Sequence, residues 1–470
     1  MSSQGDASAS APEQLSSVQG SRDENSVLGG PLGRYARLPV VEVKKGRWSG
    51  RLVPAWQPVA AVLSFVAAVM VALGVLQKAH CFTHGWAGSS VFWRACYSDL
   101  PTMFVTSGLS SAAFPYEGEL SLSEPLGTGM LLWLLSFFAV SSGRSVDFVA
   151  AWSVVASILA MGLVVVTVLT ARRDPWRVWM VAFSPLLITV VLVGPELIGV
   201  FLVSVALFFW SRERVVLSGA VFALAICSRS YALIVLAAVV FSAVRAGAYA
   251  AARRLSFVAV VGAAAVLGVF AVCGFKVFGP YEWWLGAEAE FGSLQYLFTL
   301  LHVPLSPVVA SVVAITGWVC ALTVGAFIML SLPRRPMIAE VAAVMMVVVA
   351  LFSKALSPQW ALLLLPLVAL ARLPWKVFAA WSLSECVYFV MVWMHLPLQT
   401  EPSRALPEGW YALFLVVRVA VLLLVGWSCF SRAITRRSVR QAPANDALVR
   451  EPDDVAGVAA GRSDRLVITF

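Results

Sequence analysis

The chain has 470 residues, of which 60% are hydrophobic and 13% charged, with a formal net charge of +9. A mean hydropathy of +0.85 at that length excludes a soluble globule and points to a polytopic membrane protein. Stretches such as 257–275 are apolar on every face and lack the alternation of a barrel strand, so an all-α bundle is expected.

The first ~40 residues, rich in Ser, Ala, Gly and Gln, lack the basic start and apolar core of a signal peptide. They predict a disordered cytoplasmic tail over 1–50. Spans follow at 56–77, 146–170, 178–193, 196–211, 215–228, 231–246, 256–278, 305–331, 337–353, 358–371, 375–396 and 409–430. Basic residues flank the set, with Lys44, Lys45, Arg47 and Arg51 before it and Arg432, Arg436, Arg437 and Arg440 after it. By the positive-inside rule both termini are cytoplasmic, and the basic clusters at 172–177, 212–214, 245–254, 334–335 and 372–376 mark cytoplasmic turns.

The apolar stretch 126–140 would make one more crossing, but that would put Arg172 and Arg173 outside. It is therefore read as a re-entrant or interfacial helix on the outer face. From 431 onward Arg alternates with Asp and Glu, which predicts a second solvated tail, 431–470, after a membrane domain of 51–430.

This topology leaves outer loops at 78–125, 279–304 and 397–408. The first two carry Asp99, Glu117, Glu119, Glu124, Glu282, Glu288, Glu290 and His302, so any chemistry is expected on that face. Asp99 is a candidate base, the alternative being a cap on a short helix that begins at Pro101. Cys81 and Cys96 share its loop, where a disulfide and two separate thiols are both compatible with the sequence. Trp283 and Trp284 are candidates for sugar stacking or for an interfacial belt. Two charges fall near the middle of spans, Glu385 and Arg418, and their cost in hydrocarbon predicts that they pair.

No Walker A motif, dinucleotide-binding glycine pattern or His/Cys ligand spacing occurs. Neither a metal, a cofactor nor a nucleic-acid partner is expected, and Glu288-Ala289-Glu290 reads as a solvated loop.

Three segments carry a resemblance: CYSDLPTMFVTSGLSSAAFPY, ALFSKALSPQWALLLLPLVALARLPW and LPEGWYALFLVVRVAVLLLV. Together they resemble actinobacterial glycosyltransferase family 87 of the GT-C superfamily, over about 81–425. The resemblance implies a GT-C-like bundle in the plasma membrane with an extracytoplasmic site. It also implies a hexosyltransferase that moves mannose from a polyprenyl-phosphate donor, its only co-substrate, to a lipoglycan acceptor such as lipomannan or a phosphatidylinositol mannoside.

Carried onto this chain, it makes Asp99 the general base, with Tyr97 and Pro101 matching beside it. Lys354, Ser357, Pro358 and Gln359 match the family's lysine and SPQ stretch, and Arg229 stands where the family usually has lysine. The topology itself puts Glu196, Arg229, Glu290, Lys354 and Gln359 at the outer boundary with Asp99. On that ground Arg229 and Lys354, with Lys276 as a third candidate, are read as donor-phosphate contacts, and Tyr97, Glu196, Glu290, Gln359, His302, Trp283 and Trp284 as substrate contacts. Such a transfer needs one base and cations for a departing phosphate rather than two carboxylates.

The chain departs from the family at Gly194-Pro195-Glu196, at Ser123-Glu124-Pro125, near Glu290-Phe291-Gly292-Ser293 and at Ala287. An arabinofuranosyl donor, an idle relative that organises envelope synthesis, and a multi-pass transporter or lipid flippase remain alternatives. Carriers usually show repeated halves with polar groups at the midplane, and no internal repeat is visible here.

Overall fold

A computed structural model describes residues 56–117, 122–435 and 453–468, together with two two-residue strands, β1 (Val40–Val41) and β2 (Val53–Pro54), paired antiparallel. The chain divides into two compact units, Met1–Ala55, whose described part is that strand pair, and Trp56–Phe470, an all-α polytopic membrane bundle. The remainder of the tail expected over 1–50 lies outside the described residues, as does 436–452.

The bundle opens with α1 (Trp56–Gln77), 22 residues long and thus about 33 Å, enough to cross a hydrocarbon core. A loop with three short helices follows: α2 (Ala79–His84), α3 (Ser90–Trp93) and α4 (Leu100–Thr106). Next come α5 (Leu126–Ser136) and the long α6 (Ser145–Thr170). At 11 residues and about 16 Å, α5 is too short to cross, as its reading as a re-entrant or interfacial helix requires. It lies against the C-terminal end of a later helix, where the Thr128 hydroxyl donates to Ser228 O at 2.9 Å.

The span expected at 178–193 is not one helix. A 3-10 turn at Pro175–Val178 leads into two single turns, α7 (Trp179–Ala182) and α8 (Leu186–Thr189), and then an irregular stretch to Glu196. Pro185 and Pro195 supply no N–H and clash with a preceding turn, so uniform hydropathy does not become a continuous helix. Irregular backbone is tolerated because Val190, Val191, Leu192 and Val193 are fully buried in protein. α1 approaches it closely: a Cβ at Gly74 would lie 2.8 Å from Ile188 O.

The next three spans match the sequence reading to within a residue, α9 (Leu197–Ser211), α10 (Val215–Ser228) and α11 (Ala232–Arg245), whereas α12 (Tyr249–Val272) is shifted towards the N-terminus of the expected 256–278. α12 begins seven residues earlier than expected, so Arg253 and Arg254 ride on its first turns, exposed, instead of lying in the connecting turn. The alanines at 250–252 favour helix there. After α13 (Gly279–Gly286) and α14 (Tyr296–Leu300) come α15 (Pro307–Ser331), α16 (Ile338–Phe352), α17 (Ala361–Leu370), α18 (Trp375–His395) and α19 (Glu408–Thr435). Ser306 caps α15, its hydroxyl accepting from Val309 N, with Pro307 at the first helical position.

Among the described residues six helices, α1, α6, α12, α15, α18 and α19, are long and apolar enough to span a membrane, and six shorter apolar segments fill in among them. Apolar side chains such as Phe65 and Val272 stay exposed on the long helices, as a lipid-facing surface requires.

The expectation of a wholly solvated tail after 430 is corrected at both ends of that segment. α19 continues to Thr435, and 453–468 folds back onto the bundle. Asp464 pairs with Arg245 (2.8 Å) and Arg335, Asp454 pairs with Arg372 (3.4 Å) and Arg173 (3.6 Å), and Ile468 N donates to Leu330 O. The basic turns hold this segment because it brings them carboxylates. Sequence alternation of Arg with Asp does not show that the partners are tertiary.

Candidate functional site

The break after α8 creates the anchor for the Asp99 loop. Carbonyls that a continuous helix would have consumed are free to accept: Asp99 N donates to Val193 O at 2.8 Å, and the Ser98 hydroxyl donates to Leu192 O at 2.7 Å. The loop is closed from the other side by a Cys81–Cys96 disulfide, with Cα atoms 5.9 Å apart. Trp86 Nε1 donates to Cys96 O at 3.1 Å, and the rings of Tyr97 and Trp393 pack at 4.6 Å.

Asp99 occupies the N-cap position of α4 but makes no side-chain capping bond. The cap reading is therefore wrong. Its carboxyl instead accepts from the Tyr97 hydroxyl and from Gln359 Nε2 at 3.1 Å, a partner 260 residues away. Burial pushes the Asp99 pKa up to about 6; the Tyr97 bond pulls against that, Glu124 adds to it, and Lys78 and Gln359 pull it down.

Lys78 was not singled out by the sequence reading. It sits one residue beyond α1 with no exposed surface, and its Nζ donates to Tyr97 O at 2.7 Å.

A second charged group lies beside the first. Arg229, at the C-terminal end of α10, reaches Glu124 Oε2 at 2.7 Å and Glu196 Oε1 at 3.2 Å. Glu196 Oε2 and Arg229 Nε are buried without a hydrogen-bond partner. Burial pushes Glu196 up to about 7, against the pull of Arg229. Tyr116 fixes the Glu124 end, its buried hydroxyl donating to Glu124 O at 2.7 Å. Glu124 had been counted among the outer acids but given no role.

Several expected contacts are placed otherwise. Lys354 is buried rather than presented to a phosphate: its Nζ donates to Ala287 O (2.9 Å) and Ser311 Oγ (2.9 Å) and lies 4.3 Å from the centre of the Trp284 ring. An ammonium so satisfied fastens α13 to α15, and Trp284 is engaged with it instead of being open for a sugar. Lys276 has an exposed side chain and meets the site only through its backbone N–H to Tyr116 O. His302 is exposed on the turn after α14 at φ +60°, and the structure records no contact between it and the cluster. Glu290 has an exposed side chain, and its N–H donates to Lys354 O at 2.6 Å. Trp283 is 55% exposed and lines a cavity of about 360 Å³ with Met103, Thr106, Ser107, Ser123 and Pro280.

Glu385 and Arg418 are paired at 2.9 Å and almost fully buried. The guanidinium also donates to Leu356 O and Ser357 O and lies over the Tyr388 ring at 4.1 Å. Those carbonyls immediately precede Pro358 and Gln359, so the buried pair fixes the turn that delivers Gln359 to Asp99. Gly292 (φ +83°) completes the packing, since a Cβ there would lie 2.0 Å from Leu356 O. Its N–H donates to the Tyr411 hydroxyl at 3.0 Å.

Among the described residues no group of three or more His, Cys, Asp or Glu is placed to hold a metal ion. The chain matches no protein-family model and no curated protein sequence. Chemically, the arrangement offers one carboxyl with a raised pKa held by two donors, one arginine shared by two carboxylates, and a nearby cavity with an aromatic wall.

Proposed function

We propose that the protein is a membrane glycosyltransferase, moving mannose from a polyprenyl-phosphate donor to a hydroxyl of a lipid-anchored glycan at the extracytoplasmic face of the plasma membrane. Both termini lie in the cytoplasm in this reading. One observation carries it: the Asp99 carboxyl caps nothing and is gripped instead by Tyr97, its neighbour in the resembling segment, and by Gln359 of the separate SPQ stretch.

Asp99 takes the proton of the acceptor hydroxyl as that oxygen bonds to the anomeric carbon. The bond from that carbon to the lipid phosphate breaks, and the phosphate leaves as an anion. Tyr97 and Gln359 orient the base. Arg229 is the cation for the phosphate; it is shared by Glu124 and Glu196, and a proton on Glu196, whose pKa lies near 7, releases one edge of the guanidinium. Trp283 offers a face for a sugar ring at the cavity beside α4.

A carrier would leave its intramembrane charges open to cargo, whereas the Glu385–Arg418 pair is closed on itself and on two carbonyls. The purified protein, given polyprenyl-phosphate mannose or its arabinose counterpart with a lipid mannoside acceptor, should transfer one sugar. Asp99→Asn should lose about 10²- to 10⁴-fold in rate. Equal transfer by both proteins removes Asp99 as the base, and no transfer from either donor removes the reading.

A further inference from the structure

Lys78 is a buried cation that the reaction as written leaves unused. It is reached from three directions: α1 ends just before it, the disulfide-closed loop folds over it, and Phe389 of α18 lies 5.7 Å from its Nζ. Its one recorded hydrogen bond goes to a neutral carbonyl, that of Tyr97, two residues before Asp99. A fully buried ammonium with a single neutral acceptor is costly unless an anion stands close by.

Among the described residues, the charged and titratable groups around Asp99 are few. They are Lys78 after α1, Tyr97 on its own loop, Glu124 before α5, and Glu196 with its partner Arg229 at the starts and ends of α9 and α10; Gln359 adds a neutral donor. Arg229 already serves two carboxylates, so Lys78 is the cation left for Asp99.

We propose that Lys78 is a positioning residue for the candidate base, supplying the positive charge against which the Asp99 carboxylate is held at the mouth of the bundle. The pair is bridged by Tyr97, whose carbonyl accepts from the lysine and whose hydroxyl donates to the carboxylate. The reciprocal influence runs the same way: burial lowers the Lys78 pKa to about 7, and Asp99 pulls it back up. Each group therefore favours the charged form of the other. Fully paired, Asp99 is ionised and Lys78 protonated, the state in which the carboxylate accepts a hydroxyl proton. The role assigned to Lys78 rests on Asp99 being the base, but the pairing is testable without any substrate.

Dicyclohexylcarbodiimide reacts with protonated buried carboxyls, and mass spectrometry resolves the Asp99 peptide from those of Glu124 and Glu196. In the full-length protein in detergent, Asp99 labelling should fall with rising pH around a midpoint near 6. In Lys78→Met the midpoint should rise by about one pH unit or more, and in Lys78→Arg it should stay within about half a unit of wild type. A midpoint unchanged in Lys78→Met overturns the proposal, whatever the transfer assay shows.

If Lys78→Met does not fold, the cycle with Asp99→Asn decides. Paired charges predict that the double variant recovers folded yield and thermal stability lost by Lys78→Met alone. A double variant that is no better than Lys78→Met overturns the pairing.

Discussion

At the end of the bundle where the arginine turns gather, Arg173, Arg245, Arg335 and Arg372 each meet an aspartate of the segment 453–468. At the Asp99 end Arg229 is divided between two carboxylates, Glu196 keeps an oxygen without a partner, and the buried Lys78 donates to a carbonyl. The first arrangement lowers the energy of one folded state. The second leaves titratable groups poised near neutral pH, which costs stability and is the usual mark of groups that exchange partners or protons. On the function proposed above, the contrast separates charges that hold the fold from charges available to a ligand.

The sharpest way to break that contrast is Asp99→Asn. It should abolish nearly all transfer, by about 10²- to 10⁴-fold, with folded yield kept and only a small fall in melting temperature, because Lys78, its pKa already lowered to about 7 by burial, sheds its proton once the carboxylate is gone. A large loss of yield would place Asp99 among the structural charges.

Next in size is Arg418→Leu, which strands Glu385 in the bundle and should cost about 3–5 kcal/mol, read as lost folded yield. Adding Glu385→Leu should restore yield but not transfer, because Leu356 O and Ser357 O lose the donors that fix the Gln359 turn. Full activity in the double variant would show that Gln359 is placed without them.

The pH profile comes third. A base whose pKa is raised to about 6 is ionised only above that value, so transfer should climb through pH 6 and fall about tenfold per unit below it. A flat profile from pH 5 to 7 contradicts the role.

At the opposite end, Asp464→Ala removes a partner of the fully buried Arg245 and should lower stability by about 1.5–3 kcal/mol without changing kcat. A change in kcat at matched folded fraction would show that the two ends communicate. The smallest effect is expected for Trp283→Ala: about a two- to tenfold rise in acceptor KM, with kcat nearly unchanged.

Much of this fold is legible in the sequence because the spans are uniformly apolar and the turns between them basic; α1 and α10 match their expected limits residue for residue. The failures have physical causes. At 178–193 hydropathy is blind to Pro185 and Pro195, which make the segment two single turns, yet it is this break that frees the carbonyls holding Asp99.

Within the site, Asp99, Tyr97 and Gln359 were found by their neighbours in sequence, and the Glu385–Arg418 pair by the cost of isolated charge. Lys354 and Arg229 were recognised as cations, but a one-dimensional string does not show that three acceptors saturate the first and two carboxylates share the second. Lys78 looks like any lysine flanking a span. What distinguishes it is a loop closed over it by Cys81 and Cys96, and a lysine just before such a cysteine pair was the available signal.

The clasp of 453–468 on the arginine turns also has a consequence in time. That segment leaves the ribosome after every helix it touches, so Arg245 and Arg335 spend synthesis without the carboxylate they finally hold. In the orientation proposed above, their uncompensated positive charge would in that interval retain each turn on the cytoplasmic side. Asp464 would then neutralise it once orientation is set, so that the same arginines serve first as topology signals and afterwards as structural ties.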